Sequence, residues 1–143
     1  MPLSLLLLEP HRDSREMYVE FLEYDGFVVR TPATVAEAVT LAPTVDAVVT
    51  EITVAVGDDG LQLVRQLRRT PSTRSVPIVV LTANAFKQDA ARAQEAGCDL
   101  FLAKPCVPAD LANAVRRAVA WRRSGSPRMI KFVVPPSSYR NSG

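Results

Sequence analysis

Five short apolar runs, at residues 3–8, 27–30, 46–52, 76–81 and 100–102, recur along this chain, and each is followed by a segment whose apolar residues come at helical spacing. A strand that is apolar at nearly every position must be buried on both faces, and helices packed on both sides of a parallel sheet provide that burial. The alternation therefore predicts five βα units forming an open, doubly wound α/β sheet. In such sheets ligands and chemistry gather at the C-terminal ends of the strands.

The punctuation agrees. Glu9-Pro10 closes the first run, where a residue without an N–H cannot continue a ladder. Asp13 is placed to cap a helix bearing Met17, Phe21, Leu22 and Tyr24, which Asp25-Gly26 ends. Thr34 caps a second helix with Val35, Ala38, Val39 and Leu41 inward. Leu61, Leu63, Val64 and Leu67, set against Arg65, Arg68 and Arg69, form a third that stops at Pro71. An alanine-rich helix over 88–95 ends at Gly97, and a last one over 108–123 carries Pro108 in its first turn. At 143 residues and 48% hydrophobic, the chain accommodates one domain, residues 1–123, followed by a Gly/Ser/Pro-punctuated tail, residues 124–143.

Charge separates these two parts. Residues 122–143 carry Arg122, Arg123, Arg128, Lys131 and Arg140 without an acid, while residues 1–121 hold 12 cations and 15 acids, net −3. So sparse a basic tail reads as a solubilising linker, and nucleic-acid binding as a minor alternative. The first apolar run lacks the basic lead of a secretory signal, and no run approaches the length of a membrane span. Cys98 and Cys106 are too few to staple the fold and have no metal-like spacing with His11, so a cytosolic, reduced protein is expected.

Glu9, Glu51, Thr82 and Lys104 stand at the ends of the first, third, fourth and fifth runs. Any one of them alone would be an ordinary strand end in solvent. Together, two carboxylates, a hydroxyl and an ammonium converge on one edge. The segments LLLLEP, DAVVTEI, DDGLQLVRQLR, VPIVVLTA and LFLAKP resemble the receiver domain of response regulators over about residues 3–121. The resemblance implies a flavodoxin-like (βα)5 fold with strand order 2-1-3-4-5. It also implies a pocket in which strand-end carboxylates hold Mg2+ while a histidine kinase phosphorylates an aspartate, and a threonine and a lysine read the phosphoryl group.

Against that pattern, Glu9 matches the first of two acids after strand one, and Pro10 stands where the second, a metal ligand, belongs. Glu51 occupies the phosphoacceptor position with one extra methylene, reaching about 1.5 Å further. With one acid fewer, Mg2+ binding is expected to be weak or absent, and phosphoryl transfer to fall with it. A Glu51–Lys104 ion pair is expected to keep the carboxylate ionised. Two readings stay open: Glu51, hydrogen-bonded by Thr82, mimics the phosphorylated state, or the pocket is degenerate without mimicry.

Phe101 falls where the family has an aromatic switch, and also reads as an ordinary core residue. Eight residues separate Glu51 from Gly60, one more than the commonest form of the family. Asp58 and Asp59 within them are substitute acceptors or, more simply, helix caps. Arg92, Asp99, Arg116 and Arg117 lie on the helix 4–strand 5–helix 5 surface through which receivers dimerise or meet effectors, and equally read as a solvated face. His11 reads as a solvent-facing loop residue outside the site, the cysteines as packing residues, and Trp121 as an anchor for the last helix.

The leading expectation is an atypical, non-enzymatic receiver signalling by protein interaction independently of phosphorylation, through a kinase, an effector or a homodimer. The alternatives are a phosphoacceptor receiver served by a histidine kinase, and the receiver part of a DNA-binding transcriptional regulator.

Overall fold

A computed structural model describes residues 2–83 and 86–125. Strands β1 (Ser4–Leu8), β2 (Val28–Arg30), β3 (Ala47–Thr50), β6 (Ile78–Thr82) and β7 (Leu100–Ala103) form one parallel sheet in the order β2-β1-β3-β6-β7. Counting these five strands alone, that is the expected 2-1-3-4-5. Helices α1 (Arg12–Tyr24), α2 (Val35–Leu41), α3 (Gly60–Arg69), α4 (Lys87–Ala96) and α5 (Pro108–Ser124) return the chain between them. The tail beyond Gly125, including the apolar stretch 129–134, lies outside the described residues.

Strand alternation explains the uninterrupted apolar runs. Leu5 and Leu7 enter one core with Tyr18 and Leu22 of α1 and Leu111 and Val115 of α5. Leu6 and Leu8 enter the other with Ala38 of α2, Leu61 and Val64 of α3 and Ala93 of α4. Each leucine so buried contributes about 2 kcal/mol, so a one-residue slip of β1 would exchange the two faces.

Local differences from expectation have plain causes. His11, rather than Asp13, caps α1: the helix begins at Arg12, and the His11 ring Nδ1 accepts from Ser14 N–H at 3.3 Å. Met17 and Tyr24 face outward while Tyr18 and Leu22 are buried. Of the four residues read onto this helix, Leu22 is buried and Phe21 packs partly against the same core, and the buried Tyr18 was not among them. Its hydroxyl donates to the Cys106 carbonyl at 2.8 Å, tying α1 to the loop before α5. The third strand is shorter than residues 46–52, since Asp46 turns its carboxylate back to Ser4 N–H and Oγ at 2.8 and 3.0 Å. The eight residues between Glu51 and Gly60 hold a two-stranded antiparallel hairpin, β4 (Thr53–Ala55) and β5 (Asp58–Asp59).

Burial pushes the Tyr18 hydroxyl up to about 12, with the charges of Cys106, Glu9 and Glu51 adding to it. Burial likewise pushes the Cys98 thiol to about 12 and the Cys106 thiol to about 11. All three acids hold their protons more tightly folded than unfolded. Their contribution to stability is therefore complete below about pH 9 and is lost as pH rises toward 12. A thermal-melting series from pH 7 to 11 is expected to show the midpoint falling above about pH 9, and falling less steeply in Cys98→Ala.

Candidate functional site

Register brings the strand ends together. Leu8 pairs with Thr50 and Thr82 with Ala103, so Glu9 and Glu51 emerge side by side from neighbouring strands, and Lys104 emerges beside the end of β6. The Lys104 N–H donates to the Thr82 carbonyl at 2.9 Å, and the Lys104-Pro105 peptide is cis. Glu9, Glu51, Thr82 and Phe101 are buried, Lys104 is partly so, and Pro10 is exposed.

The Lys104 ammonium lies between the two carboxylates, 2.5 Å from Glu9 Oε1 and 3.3 Å from Glu51 Oε1. The expected Glu51–Lys104 pair is present, but Glu9 holds the shorter contact. Chain direction accounts for the rest. Just past Pro10, the His11 N–H donates to Glu9 Oε2 at 2.9 Å, and Arg15 on the first turn of α1 donates to the Glu9 carbonyl at 3.0 Å. The Ile52 N–H donates to Glu51 Oε2 at 2.6 Å, and the Ala83 N–H reaches Glu51 Oε1 at 3.4 Å. The extra methylene of Glu51 folds its carboxylate back onto the backbone that follows it.

Phe101 is 1% exposed and packs on the α3/α4 face of the sheet, turned inward. Asp58 and Asp59 sit at helix starts: Asp58 Oδ2 accepts from Val35 N–H at 3.0 Å, and Asp59 Oδ1 from Leu61 N–H at 2.8 Å. Thr34 caps α2 as expected, accepting from Glu37 N–H at 3.1 Å.

The α4–β7–α5 face is less charged than expected. Asp99 is buried, accepting from Ile78 N–H at 2.8 Å, Arg68 at 3.0 Å, and Arg122 at 2.7 and 3.0 Å. Arg116 leans the other way, onto Asp25 at 2.8 Å and over the Phe27 ring. Arg92 and Arg117 are exposed, Arg92 beside Asp89 at 3.4 Å and Asp59 at 3.8 Å.

Arg15 and the backbone donors at Ile52 and Ala83 were not singled out from sequence. Arg15 carries a faint signal, three residues into a helix that begins just past the strand end. Backbone donors carry none.

The sequence model of the response regulator receiver domain matches residues 5–116. The chain belongs to that family. Among its relatives, Response regulator Rre1 of Synechocystis is 35% identical over 127 residues, covering 87% of this chain and 55% of that protein. The phosphate regulon transcriptional regulatory protein PhoB of Escherichia coli K12 is 31% identical over 136 residues, covering 94% and 58%. The receiver thus spans little more than half the length of these curated relatives. A putative response regulator from Chloroflexus aurantiacus superposes with a TM-score of 0.78 at 30% identity, covering 84% of this chain and 99% of that one. The receiver domain of sensor histidine kinase PA1611 from Pseudomonas aeruginosa superposes at 0.76 and 30% identity over the same shares, and was crystallised with a magnesium ion in its active-site cleft. Among the described residues, no helix of this receiver is long and apolar enough to cross a membrane.

Proposed function

We propose that this receiver acts as a phosphorylation-independent protein-interaction module whose pocket is filled by its own lysine. The observation that carries the reading is Lys104 between Glu9 and Glu51, with the remaining carboxylate oxygens taking backbone N–H groups at Ile52 and His11. Mg2+ needs near-octahedral oxygen ligands and gives up its water reluctantly. A two-carboxylate set already sharing an ammonium, with Pro10 offering no third acid, fits that ion poorly. Among the described residues no group of three His, Cys, Asp or Glu side chains is arranged for a metal.

Phosphoryl transfer depends on positioning and on charge neutralisation at the phosphoryl oxygens. Here the Glu51 carboxylate is turned onto Ile52 N–H, and its cation is shared with Glu9. No catalytic turnover is proposed. With Phe101 inward and a cation at Glu51, the domain rests in one conformation, and its partner is an effector or kinase reading that conformation. Homodimerisation through the α4–β7–α5 face would have Arg92 and Arg117 as its exposed cations.

Intact-mass measurement after incubation with a small acyl-phosphate donor and Mg2+ tests the reading. The natural chain is expected to stay unmodified, and the Pro10→Asp, Glu51→Asp double variant to gain one phosphoryl group. Phosphorylation of the natural chain at Glu51, Asp58 or Asp59 would sink the proposal and support a phosphoacceptor receiver.

A second reading concerns the protein as a whole. The share of PhoB and Rre1 that the chain spans suits the receiver part of a longer transcriptional regulator, with the same pocket reporting to an output domain.

A further inference from the structure

Residues 61–75 carry Arg65, Arg68, Arg69 and Arg74 and no acid. Helix α3 ends at Arg69, and residues 71–75 form the turn that leads toward β6. Two threonines tie this turn to the helix: Thr70 Oγ1 donates to the Gln66 carbonyl at 2.8 Å, and the buried Thr73 Oγ1 to the Leu67 carbonyl at 2.8 Å. Arg68 holds the far side, donating to the carbonyls of Arg74 and Val76 at 3.0 and 2.6 Å. The remaining hydroxyls, of Ser72 and Ser75, are exposed and have no hydrogen-bond partner among the described residues.

The surroundings of the two serines differ. Ser72 follows the exposed Pro71, with Arg69 three residues before it and Arg74 two after. Both arginines are exposed, and among the described residues neither pairs with a carboxylate. Arg68, by contrast, is already engaged by Asp99. Ser75 leads directly into Val76, the buried Pro77 and Ile78, whose N–H is held by Asp99 at 2.8 Å, so the chain there is committed to the sheet. Drawing Ser72 outward breaks one backbone hydrogen bond, from Thr73 N–H to the Thr70 carbonyl at 3.0 Å. A hydroxyl flanked by unpaired guanidinium groups suits phosphorylation in two ways. An enzyme with acidic side chains around its cleft recognises the arginines, and the same arginines then bind the dianion it makes.

We propose that Ser72 is the acceptor of a serine/threonine kinase with a carboxylate-lined substrate cleft, and that Arg69 and Arg74 hold the phosphoryl group once it is in place. In the transfer, Ser72 Oγ bonds to the γ-phosphorus of ATP, the bond from that phosphorus to its bridging oxygen breaks, ADP departs, and the hydroxyl proton passes to the kinase's base. The product adds about two negative charges at the end of the domain opposite Glu51. A covalent signal thus reaches this receiver by a route that uses neither Glu51 nor a metal at Glu9, and it stands whether or not Glu51 accepts a phosphoryl group.

Incubation of the folded full chain with MgATP and the catalytic subunit of cyclic-AMP-dependent protein kinase, a probe that selects arginine-flanked serines, tests the acceptor. One phosphoryl group is expected, mapped by peptide mass to Ser72, absent in Ser72→Ala and formed about tenfold more slowly in Arg69→Ala, the loss of one charge pair with the enzyme. Phosphorus-31 titration of the purified product tests the clamp. Its step near pH 6 should lie lower in the folded chain than in urea, because nearby guanidinium groups favour the dianion, and Arg74→Ala should bring it back. Phosphate on another residue, incorporation only into the unfolded chain, no incorporation, or a rate indifferent to Arg69→Ala would each overturn the acceptor, and equal titrations folded and unfolded would overturn the clamp.

Discussion

Asp99→Ala is expected to lower stability by about 3–5 kcal/mol, the cost of removing one partner from a buried ion cluster. Asp99 joins three elements: it accepts from Ile78 N–H at the start of β6, from Arg68 at the end of α3, and from Arg122 at the end of α5. The two arginines do not share the loss equally. The Arg122 side chain is 25% exposed and can turn into water, whereas Arg68 is 15% exposed. Arg68 is further held by the carbonyls of Gly97, Arg74 and Val76 at 2.8, 3.0 and 2.6 Å. Burial pulls the Arg68 guanidinium below its ordinary range, Asp99 opposes the shift and Arg122 adds to it, so removing Asp99 takes away the opposing force. Arg122→Ala should cost no more than about 1 kcal/mol. Urea unfolding of the two variants checks the ranking, and equal losses would show that the buried side of the cluster is not what holds it.

Gly60→Ala is expected to cost about 3 kcal/mol and to lower the melting midpoint by about 10 °C. A Cβ at residue 60 would lie 1.8 Å from the Glu51 carbonyl oxygen and 2.8 Å from Thr50 Oγ1. The nearer atom is backbone and has no rotamer to escape into. Gly60 N–H also donates to the Ile52 carbonyl at 2.7 Å, so α3 cannot back away without breaking the contact that closes the hairpin. Gly57→Ala is the comparison. Nothing lies within 4 Å of its Cβ, but its φ of +77° places it in the left-handed region, and it should cost only about 1 kcal/mol. Calorimetry that finds the two equal would contradict the close approach at Gly60.

The sheet was legible because burial on both faces leaves apolar residues at consecutive positions, a pattern that Leu5 to Leu8 and Ile78 to Leu81 carry in full. The hairpin was not, because Thr53 to Asp59 alternates too briefly and ends in two aspartates that read as caps, a role their hydrogen bonds support. Tyr18 was missed for its hydroxyl, whose acceptor, the Cys106 carbonyl, is 88 residues away in sequence. In the site, the identity of the converging residues was readable from strand ends. Which carboxylate Lys104 approaches more closely depends on strand stagger and on the turn at Pro10, and no residue type encodes that. Asp99 and Arg116 were misplaced because charge on a helix or strand end looks the same in sequence whether it faces solvent or a buried partner.

Because every helix returns the chain antiparallel to the strands, helix starts collect along the pocket edge and helix ends along the opposite one. Acids stand at the starts: Asp13, Glu37 and Asp89 in first turns, Asp59 as a cap and Asp110 at the head of α5. Arginines stand at the ends of α3 and α5: Arg68, Arg69, Arg122 and Arg123. These charges set a dipole component along the strand axis, opposed in part by Arg12, Arg15, Lys87 and Lys104 at the pocket edge and by Glu23, Asp25 and Glu95 at the other. A polyanion drifting toward the molecule is turned so that the arginine end leads, with Glu51 facing away from it, and a cationic partner meets the pocket end first. Encounter with partners of opposite sign therefore occurs at opposite poles, and each rate declines as salt shortens the reach of the field.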